Sequence, residues 1–180
     1  MNRFKVTFLG GALLVLVAVM AFRPAETEHK GIQWMTFEQM QAAQKKKPKK
    51  VIIDIYTEWC GWCKKMDKNT FEQPAIAKYV NDNFYAVKFD AESKPSITFA
   101  GKVYNNPQRY HELAMKLMDG KAGFPTSVYL DENLKPITPP IASYLDPKQF
   151  ELIINYLNTE SYKRVSFDQY SQVFKSQIQQ

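Results

Sequence analysis

The chain of 180 residues contains two cysteines, Cys60 and Cys63, both in the stretch IDIYTEWCGWCKKM, residues 53–66. A pair at this spacing could bind a metal, form a structural disulfide or exchange disulfides with other molecules. A structural disulfide is disfavoured because so short a loop removes little entropy from the unfolded chain. Zinc is disfavoured because it needs three or four ligands, and the two histidines, His29 and His111, lie in a polar tail and in a predicted helix. The redox-active alternative is favoured, and it requires neither a metal nor a cofactor.

A redox-active pair needs one sulfur that attacks as a thiolate and a second sulfur that resolves the mixed disulfide. Cys60 lies where a predicted buried strand gives way to a helix. The unpaired N–H groups and the dipole of that helix would stabilise a thiolate there. Cys63 follows one turn later, and Lys64 and Lys65 add positive charge nearby. The stretch therefore supplies both sulfurs that exchange requires.

Asp54 stands in the middle of the apolar run VIIDIY. A carboxylate is excluded from a buried strand unless it is paired or has a function. Beneath the helix that carries the cysteines, Asp54 could take and return the proton of Cys63. The alternative is an aspartate on an edge strand facing water, and the apolar residues on both sides disfavour it.

A second irregularity is Phe124-Pro125-Thr126, where a proline opens a strand whose composition is typical of the centre of a sheet. Proline removes a ladder hydrogen bond from such a strand. A cis Phe124–Pro125 bond would resolve the conflict by turning the chain sharply beside the cysteines. The residues alone do not decide for cis, because cis bonds are a minority even before proline.

Alternating strand and helix patterns place these residues in one α/β domain. Strands are predicted over 32–35, 51–56, 84–89 and 126–130, with two short strands in 96–104 and a further one after the turn DENLKP. Helices are predicted after the capping box Thr36-x-x-Gln39, over 61–68, from Pro74, from Pro107 to the stop at Gly120, after Asp146 and after Ser166.

The first residues indicate export. Residues 1–22 combine a basic start with an apolar run, which predicts a signal peptide cleaved after Ala21, or alternatively a membrane anchor. We expect a flexible linker over 23–31, a single domain over 32–180, and a periplasmic or other extracytoplasmic location. The net charge of +6 owes much to the lysine run 45–50. That run is interpreted as a solvated loop rather than a nucleic-acid or lipid patch, since no aromatic residues interleave it.

The motifs DIYTEWCGWCKK and FPT together resemble the thioredoxin superfamily. The continuation CKKMDKNTFEQPAIAKYV is similar to the C-terminal domain of the bacterial thiol:disulfide interchange protein and its exported relatives. The resemblance covers residues 32–157 and implies a thioredoxin-like α/β fold, with a central mixed sheet flanked by helices. It implies that Cys60 is the nucleophile, Cys63 the resolving thiol, Asp54 the proton relay, Trp59 a flank of the substrate groove and Pro125 the cis residue, with substrate pairing along the Phe124 backbone. The predicted substrate-binding residues are therefore Trp59, Phe124 and Pro125, together with the adjacent Trp62 and Thr126.

Two departures from the thioredoxin pattern bear on function. Trp62 stands between the cysteines where cytosolic thioredoxins have proline and strong oxidants have histidine. The segment from Ser93 to Gly123 forms an insertion, a hairpin and a helix, before the cis-proline strand. The sequence predicts an exported thiol:disulfide oxidoreductase that reduces protein disulfides, since no histidine cation stabilises the thiolate. The expected partners are protein thiols and disulfides and a membrane electron donor, without nucleic acid, with residues 6–22 as an alternative tether. The alternative hypotheses are a disulfide oxidase or isomerase, and a non-catalytic envelope interaction module.

Overall fold

The structure is a computed structural model that describes Met1 and residues 31–178. The predicted signal peptide or anchor over 1–22, apart from Met1, and all of the predicted linker except Gly31 lie outside the described residues. Within the described part of the chain, no helix is both long enough and apolar enough to cross a membrane.

A four-stranded mixed sheet forms the centre of the domain, in the order β1-β3-β2-β6. The strands are β1 (Trp34–Met35), β2 (Lys50–Tyr56), β3 (Phe84–Asp90) and β6 (Thr126–Leu130). Strand β2 pairs in parallel with β3 and antiparallel with β6. Its apolar run is buried on both faces, which is why it lacks the polar alternation of a half-exposed strand. The predicted central strand is confirmed.

Helices cover both faces of this sheet. They are α1 (Phe37–Lys46), α2 (Gly61–Met66) continuing into a π-helical turn (Asp67–Phe71), α3 (Pro74–Asn83), α4 (Glu112–Leu117), α5 (Pro147–Asn158), a 3-10 turn (Ser161–Lys163) and α6 (Phe167–Val173). The capping boxes predicted at Thr36 and Ser166 are present, as is one at Asp146. Each satisfies backbone N–H groups at a helix start.

The sheet separates two apolar cores. Ile52 and Tyr129 point into the first core, where they pack with α3, α5 and the end of α2 with its π-helical turn. Ile53 and Ile55 point into the second core, where they pack with α1 and α4. The insertion adds a hairpin of β4 (Ile97–Phe99) and β5 (Lys102–Tyr104), as predicted, and its Phe99 lies in the second core. The predicted α/β class, with a central mixed sheet flanked by helices, is confirmed.

Three details differ from the sequence predictions. His111 was expected within a helix opened by Pro107, but α4 begins at Glu112 and His111 caps it, because its Nδ1 accepts the Leu113 N–H at 3.1 Å. The strand expected after DENLKP is reduced to two isolated bridges, at Pro136 and Ile141. The prolines in this stretch lack the N–H that a regular ladder requires.

The third detail is the lysine run. Residues 45–48 are exposed, as a solvated loop requires, but Lys50 is buried in β2. Its ammonium pairs with Glu132 at 2.8 Å and Glu160 at 3.4 Å. Burial acts to lower the pKa of Lys50, but these carboxylates outweigh burial and raise it. Lys50 therefore fastens β2 to the loop that carries Glu132 rather than facing a partner.

Candidate active site

Cys60 and Cys63 are joined by a disulfide where β2 gives way to α2. Cys60 is the N-cap residue of α2, and its Sγ accepts the backbone N–H of Cys63 at 3.0 Å. Both side chains are buried, with Cys60 slightly the more accessible of the two. A helix N-terminus presents unpaired N–H groups and a partial positive charge, both of which stabilise a thiolate. The first sulfur therefore lies in an environment suited to attack.

Asp54 lies on the sheet face that α2 covers, and its side chain is 1% exposed. Its Oδ2 accepts a hydrogen bond from Lys88 Nζ at 2.6 Å. Burial raises the pKa of Asp54 to about 6, against the opposing effect of the Lys88 charge and with a further upward push from Asp67. The buried position is confirmed, and the alternative of a water-facing edge aspartate is wrong. A carboxyl with this pKa can exchange protons near neutrality.

Sequence reasoning missed Lys88, the partner of Asp54. The two residues are direct neighbours in the parallel pairing of β2 with β3. Lys88 Nζ also bonds the Asp67 carboxylate and lies 5.1 Å from the ring centroid of Trp34. A lone lysine at an inward position of the strand FYAVKFD was the available signal, since a buried cation needs a carboxylate partner.

The Phe124–Pro125 peptide bond is cis, as the resemblance implied. Pro125 and Phe124 line a groove of about 380 Å³ together with Trp62, Ser143 and Tyr144. Thr126 is fully buried, and its hydroxyl donates to the Gly123 carbonyl at 2.7 Å. The side chain of Thr126 thus stabilises the turn at the cis-proline.

The two tryptophans beside the cysteines are both exposed, Trp59 to 56% and Trp62 to 57%. The Trp62 ring lies 5.4 Å from the Tyr144 ring, and Lys65 Nζ sits 4.6 Å above the Trp62 ring. Such cation–π contacts hold an exposed ring in place without burying it. Trp62 is therefore ordered yet open to a ligand.

Residues that sequence reasoning did not single out contact Trp59. Trp59 Nε1 donates to Glu92 Oε2 at 2.9 Å, and the other oxygen of Glu92 accepts from Arg109 Nε at 3.2 Å. The Arg109 guanidinium lies 5.5 Å from the Trp59 ring centroid, while Phe124 meets that ring edge-on at 5.8 Å. Arg109 comes from the predicted insertion. No spacing in the sequence indicates that the insertion would reach the cysteines.

The described residues contain no group of three or more His, Cys, Asp and Glu placed to hold a metal ion. The site instead combines a disulfide at a helix N-terminus, a buried carboxylate with its lysine, and an aromatic groove beside a cis-proline. This arrangement is suited to thiol–disulfide chemistry on an extended polypeptide.

Comparisons with known proteins agree with this geometry. The family Thioredox_DsbH, described as a protein of unknown function, DUF255, matches residues 24–177. The chain is 32% identical over 137 residues to the uncharacterized protein B0495.5 of Caenorhabditis elegans, covering 72% of this chain and 17% of that one. It is 25% identical over 125 residues to the thiol:disulfide interchange protein DsbD of Photorhabdus laumondii, covering 69% of this chain and 19% of that one. The chain thus spans less than a fifth of either relative.

Among solved structures, a DsbH oxidoreductase superposes with a TM-score of 0.52 at 16% identity, covering 86% of this chain and 96% of that chain. A thioredoxin-fold protein from Helicobacter pylori superposes with a TM-score of 0.53 at 14% identity, covering 69% and 79%. At these identities the likeness shows the fold. Since the family match covers most of the chain, the protein belongs to the Thioredox_DsbH family of the thioredoxin superfamily and resembles DsbD-like proteins.

Proposed function

We propose that this protein is an exported thiol:disulfide oxidoreductase that reduces protein disulfides through Cys60 and Cys63. The observation that carries the proposal is the position of the disulfide, at a helix N-terminus beside an open groove and on the sheet face that holds buried Asp54. A disulfide kept only for stability has no need of a carboxylate at a desolvated position, where ionisation is unfavourable.

The reaction begins with the reduced protein. The Cys60 thiolate attacks one sulfur of a substrate disulfide, and the other substrate sulfur leaves as a thiolate. Cys63 then gives up its proton to the Asp54 carboxylate and attacks Cys60 Sγ, which breaks the mixed disulfide and restores the Cys60–Cys63 bond. The second substrate sulfur leaves as a thiol after protonation, so the substrate gains the two electrons that the protein loses.

The groove favours an extended substrate segment. The Phe124 backbone precedes β6 at the edge of the cysteine site, and a substrate strand could pair with it as an added strand. The exposed faces of Trp59 and Trp62 would cover the residues that flank the substrate cysteine. Thr126 would take part through its backbone, because its side chain is buried.

Reduction is the preferred direction because no histidine cation adjoins Cys60 in the described part of the chain, where His111 is buried beside Phe89. Strong oxidants stabilise their reduced form by stabilising the thiolate. A reductase outside the cytoplasm needs electrons from a membrane donor. We infer that residues 1–22 direct export or anchor the chain, that 23–31 form a linker, and that residues 32–180 act as the catalytic domain on the periplasmic side.

Insulin reduction tests the proposal. The wild-type protein should accelerate the reduction of insulin by dithiothreitol, whereas Cys60→Ser should abolish the acceleration. Cys63→Ser should instead accumulate mixed disulfides with protein substrates, because attack needs Cys60 and release needs Cys63. The double variant Cys60→Ser/Cys63→Ser is the control for non-specific capture. A folded wild-type protein that neither reduces insulin nor forms mixed disulfides would point to an interaction module.

A further inference from the structure

Two hydroxyl groups lie buried on the same sheet face as Asp54 without a hydrogen-bond partner among the described residues. They are Ser127 Oγ and Tyr129 OH, and the second carboxylate oxygen of Asp54, Oδ1, is likewise unpartnered within residues 31–178. Ser127 is 0% and Tyr129 is 1% exposed. Buried polar groups are nearly always paired, so a group of unpaired ones at a functional site requires an explanation.

The strand pairing brings the three side chains together. Ser127 is the direct partner of Asp54 in the antiparallel pairing of β2 with β6. Cβ atoms of such cross-strand partners lie roughly 4.5–5.5 Å apart, so rotation of the serine hydroxyl about its side-chain bond brings it within reach of Oδ1. Tyr129 lies two residues further along β6, opposite Ile52, and therefore points to the same face.

Electrostatics connect the tyrosine to the other two groups. Burial raises the pKa of the Tyr129 phenol, the Ser127 hydroxyl acts in the lowering direction, and the Asp54 charge raises it further. Tyr129 therefore remains a protonated donor at neutral pH. A donor beside a carboxylate stabilises the ionised form of that carboxylate, which is the form that accepts a proton.

We propose that Ser127 and Tyr129 are positioning residues for the proton step of disulfide exchange, with their hydroxyls stabilising ionised Asp54 so that it can accept the Cys63 proton. This rests on the proposed function. For this role the Ser127 hydroxyl turns to donate to Oδ1, the oxygen that Lys88 leaves unpaired, and the Tyr129 hydroxyl turns to donate to Ser127; among residues 31–178 all three atoms lack a partner in the oxidised structure. After the proton moves from Cys63 to Asp54, the carboxyl becomes a donor and the serine hydroxyl reverses to accept from it.

Other groups also act on Asp54 and must stay constant in a test. Lys88 of β3 stabilises its charge, Asp67 of the π-helical turn opposes it, and Cys63 of α2 is the proton donor. Tyr56 lies on β2 with Asp54, and the Lys88 ammonium lies 5.0 Å from its ring centroid. Changes confined to Ser127 and Tyr129 leave all of these groups in place.

The test is the titration of the Asp54 carboxyl carbon by NMR in the full reduced protein. Ser127→Ala removes the hydroxyl that faces the carboxylate and should raise the midpoint by about one to two pH units, because hydrogen bonds to charged groups contribute about 1.5–3 kcal/mol. Tyr129→Phe should raise the midpoint in the same direction by less, because the phenol acts through Ser127. The control is Tyr156→Phe. Tyr156 lies on α5, and its hydroxyl donates a hydrogen bond to the Val165 carbonyl at 2.8 Å. The midpoint in this control should not move.

The pH profile of insulin reduction gives a second readout. In Tyr129→Phe and Ser127→Ala its acidic limb should move to higher pH in the same direction as the carboxyl midpoint, a shift that loss of stability alone does not produce. Unchanged midpoints in both variants, with normal wild-type reduction, would overturn this proposal and leave the proposed function intact. If the midpoints rise in both variants but the wild-type protein does not reduce insulin, the proposed function is overturned, and with it the catalytic role of the two hydroxyls.

Discussion

Replacing Asp54 by asparagine should make the protein more stable at neutral pH while slowing disulfide exchange. The carboxyl is fully buried, and its pKa is raised from 3.8 to about 6, chiefly by burial. Because the folded state holds this proton more tightly than the unfolded state, the group lowers stability as pH rises through that window. Below about pH 3, under the unfolded-state pKa of 3.8, the carboxyl is protonated in both states and the penalty is absent.

The size of the effect follows from the shift. A pKa raised by about two units corresponds to about 3 kcal/mol of lost stability once both states are ionised, at about 1.36 kcal/mol per unit. An asparagine side chain cannot ionise and has nearly the shape of the protonated acid, so Asp54→Asn should recover most of this free energy. Lys88 remains paired with Asp67 in the variant, so its charge is not left alone.

Denaturant unfolding of the oxidised proteins at several pH values measures the difference directly. Asp54→Asn and wild type should be about equally stable near about pH 3 and should differ by about 3 kcal/mol near about pH 7.5. For a domain of this size the difference corresponds to a rise of about 6–12 °C in the melting temperature. Comparing two proteins that share all other titrating groups cancels the effects of those groups. Parallel stability curves across this range would refute the argument that Asp54 titrates in a desolvated site.

Three further outcomes are expected. In Cys63→Ser, the Cys60 thiolate absorbance should titrate inside the window of about 3.5–7.5 that activated cysteines show, and a midpoint near the free-thiol value of about 8.5 would remove the argument from the helix N-terminus. Lys88→Met should raise the pKa of Asp54 above its wild-type value, since the opposite charge is lost; an unchanged carboxyl titration would mean that the ion pair is weak. Trp62→Ala should raise the KM for insulin with little change in kcat, because it removes a wall of the groove; a drop in kcat alone would assign Trp62 to the chemical step.

Much of the fold was predictable because local signals agreed with the tertiary structure. The run of β-branched residues in β2 predicted a strand buried on both faces, and the capping boxes at Thr36 and Ser166 predicted the starts of α1 and α6. The predictions were wrong where hydrogen bonds to side chains decide the boundary. His111 caps α4 through a bond between its own ring and the backbone, which a helix-periodic pattern of apolar residues does not reveal.

The candidate site was predictable only in part. Asp54 stood out because its immediate neighbours in the sequence are apolar, and a carboxylate is unusual among them. Its partner Lys88 lies on a different strand, and only the register of β2 with β3 brings the two together. Arg109 and Glu92 were not found because their role depends on how the insertion folds back over Trp59. Functional residues that stand out from their neighbours in the sequence could be predicted. Functional residues whose role depends on a contact with a distant segment could not.

The sheet explains why segments far apart in the chain meet at one site. In the antiparallel pairing Ile55 faces Thr126, so the end of β2 that leads to Cys60 adjoins the end of β6 that begins with the cis-proline corner. In the parallel pairing Tyr56 faces Asp90, which places Glu92 at the same edge. The insertion leaves and rejoins the chain between β3 and β6, at this edge. Its exposed residues, such as Arg109, can therefore change the rim of the groove without disturbing the strands, whereas Phe99 and the buried face of α4 pack against Ile53 and Ile55 of β2. We expect changes in the exposed residues of the insertion to alter which substrates are reduced, and changes in the sheet to alter how fast they are reduced.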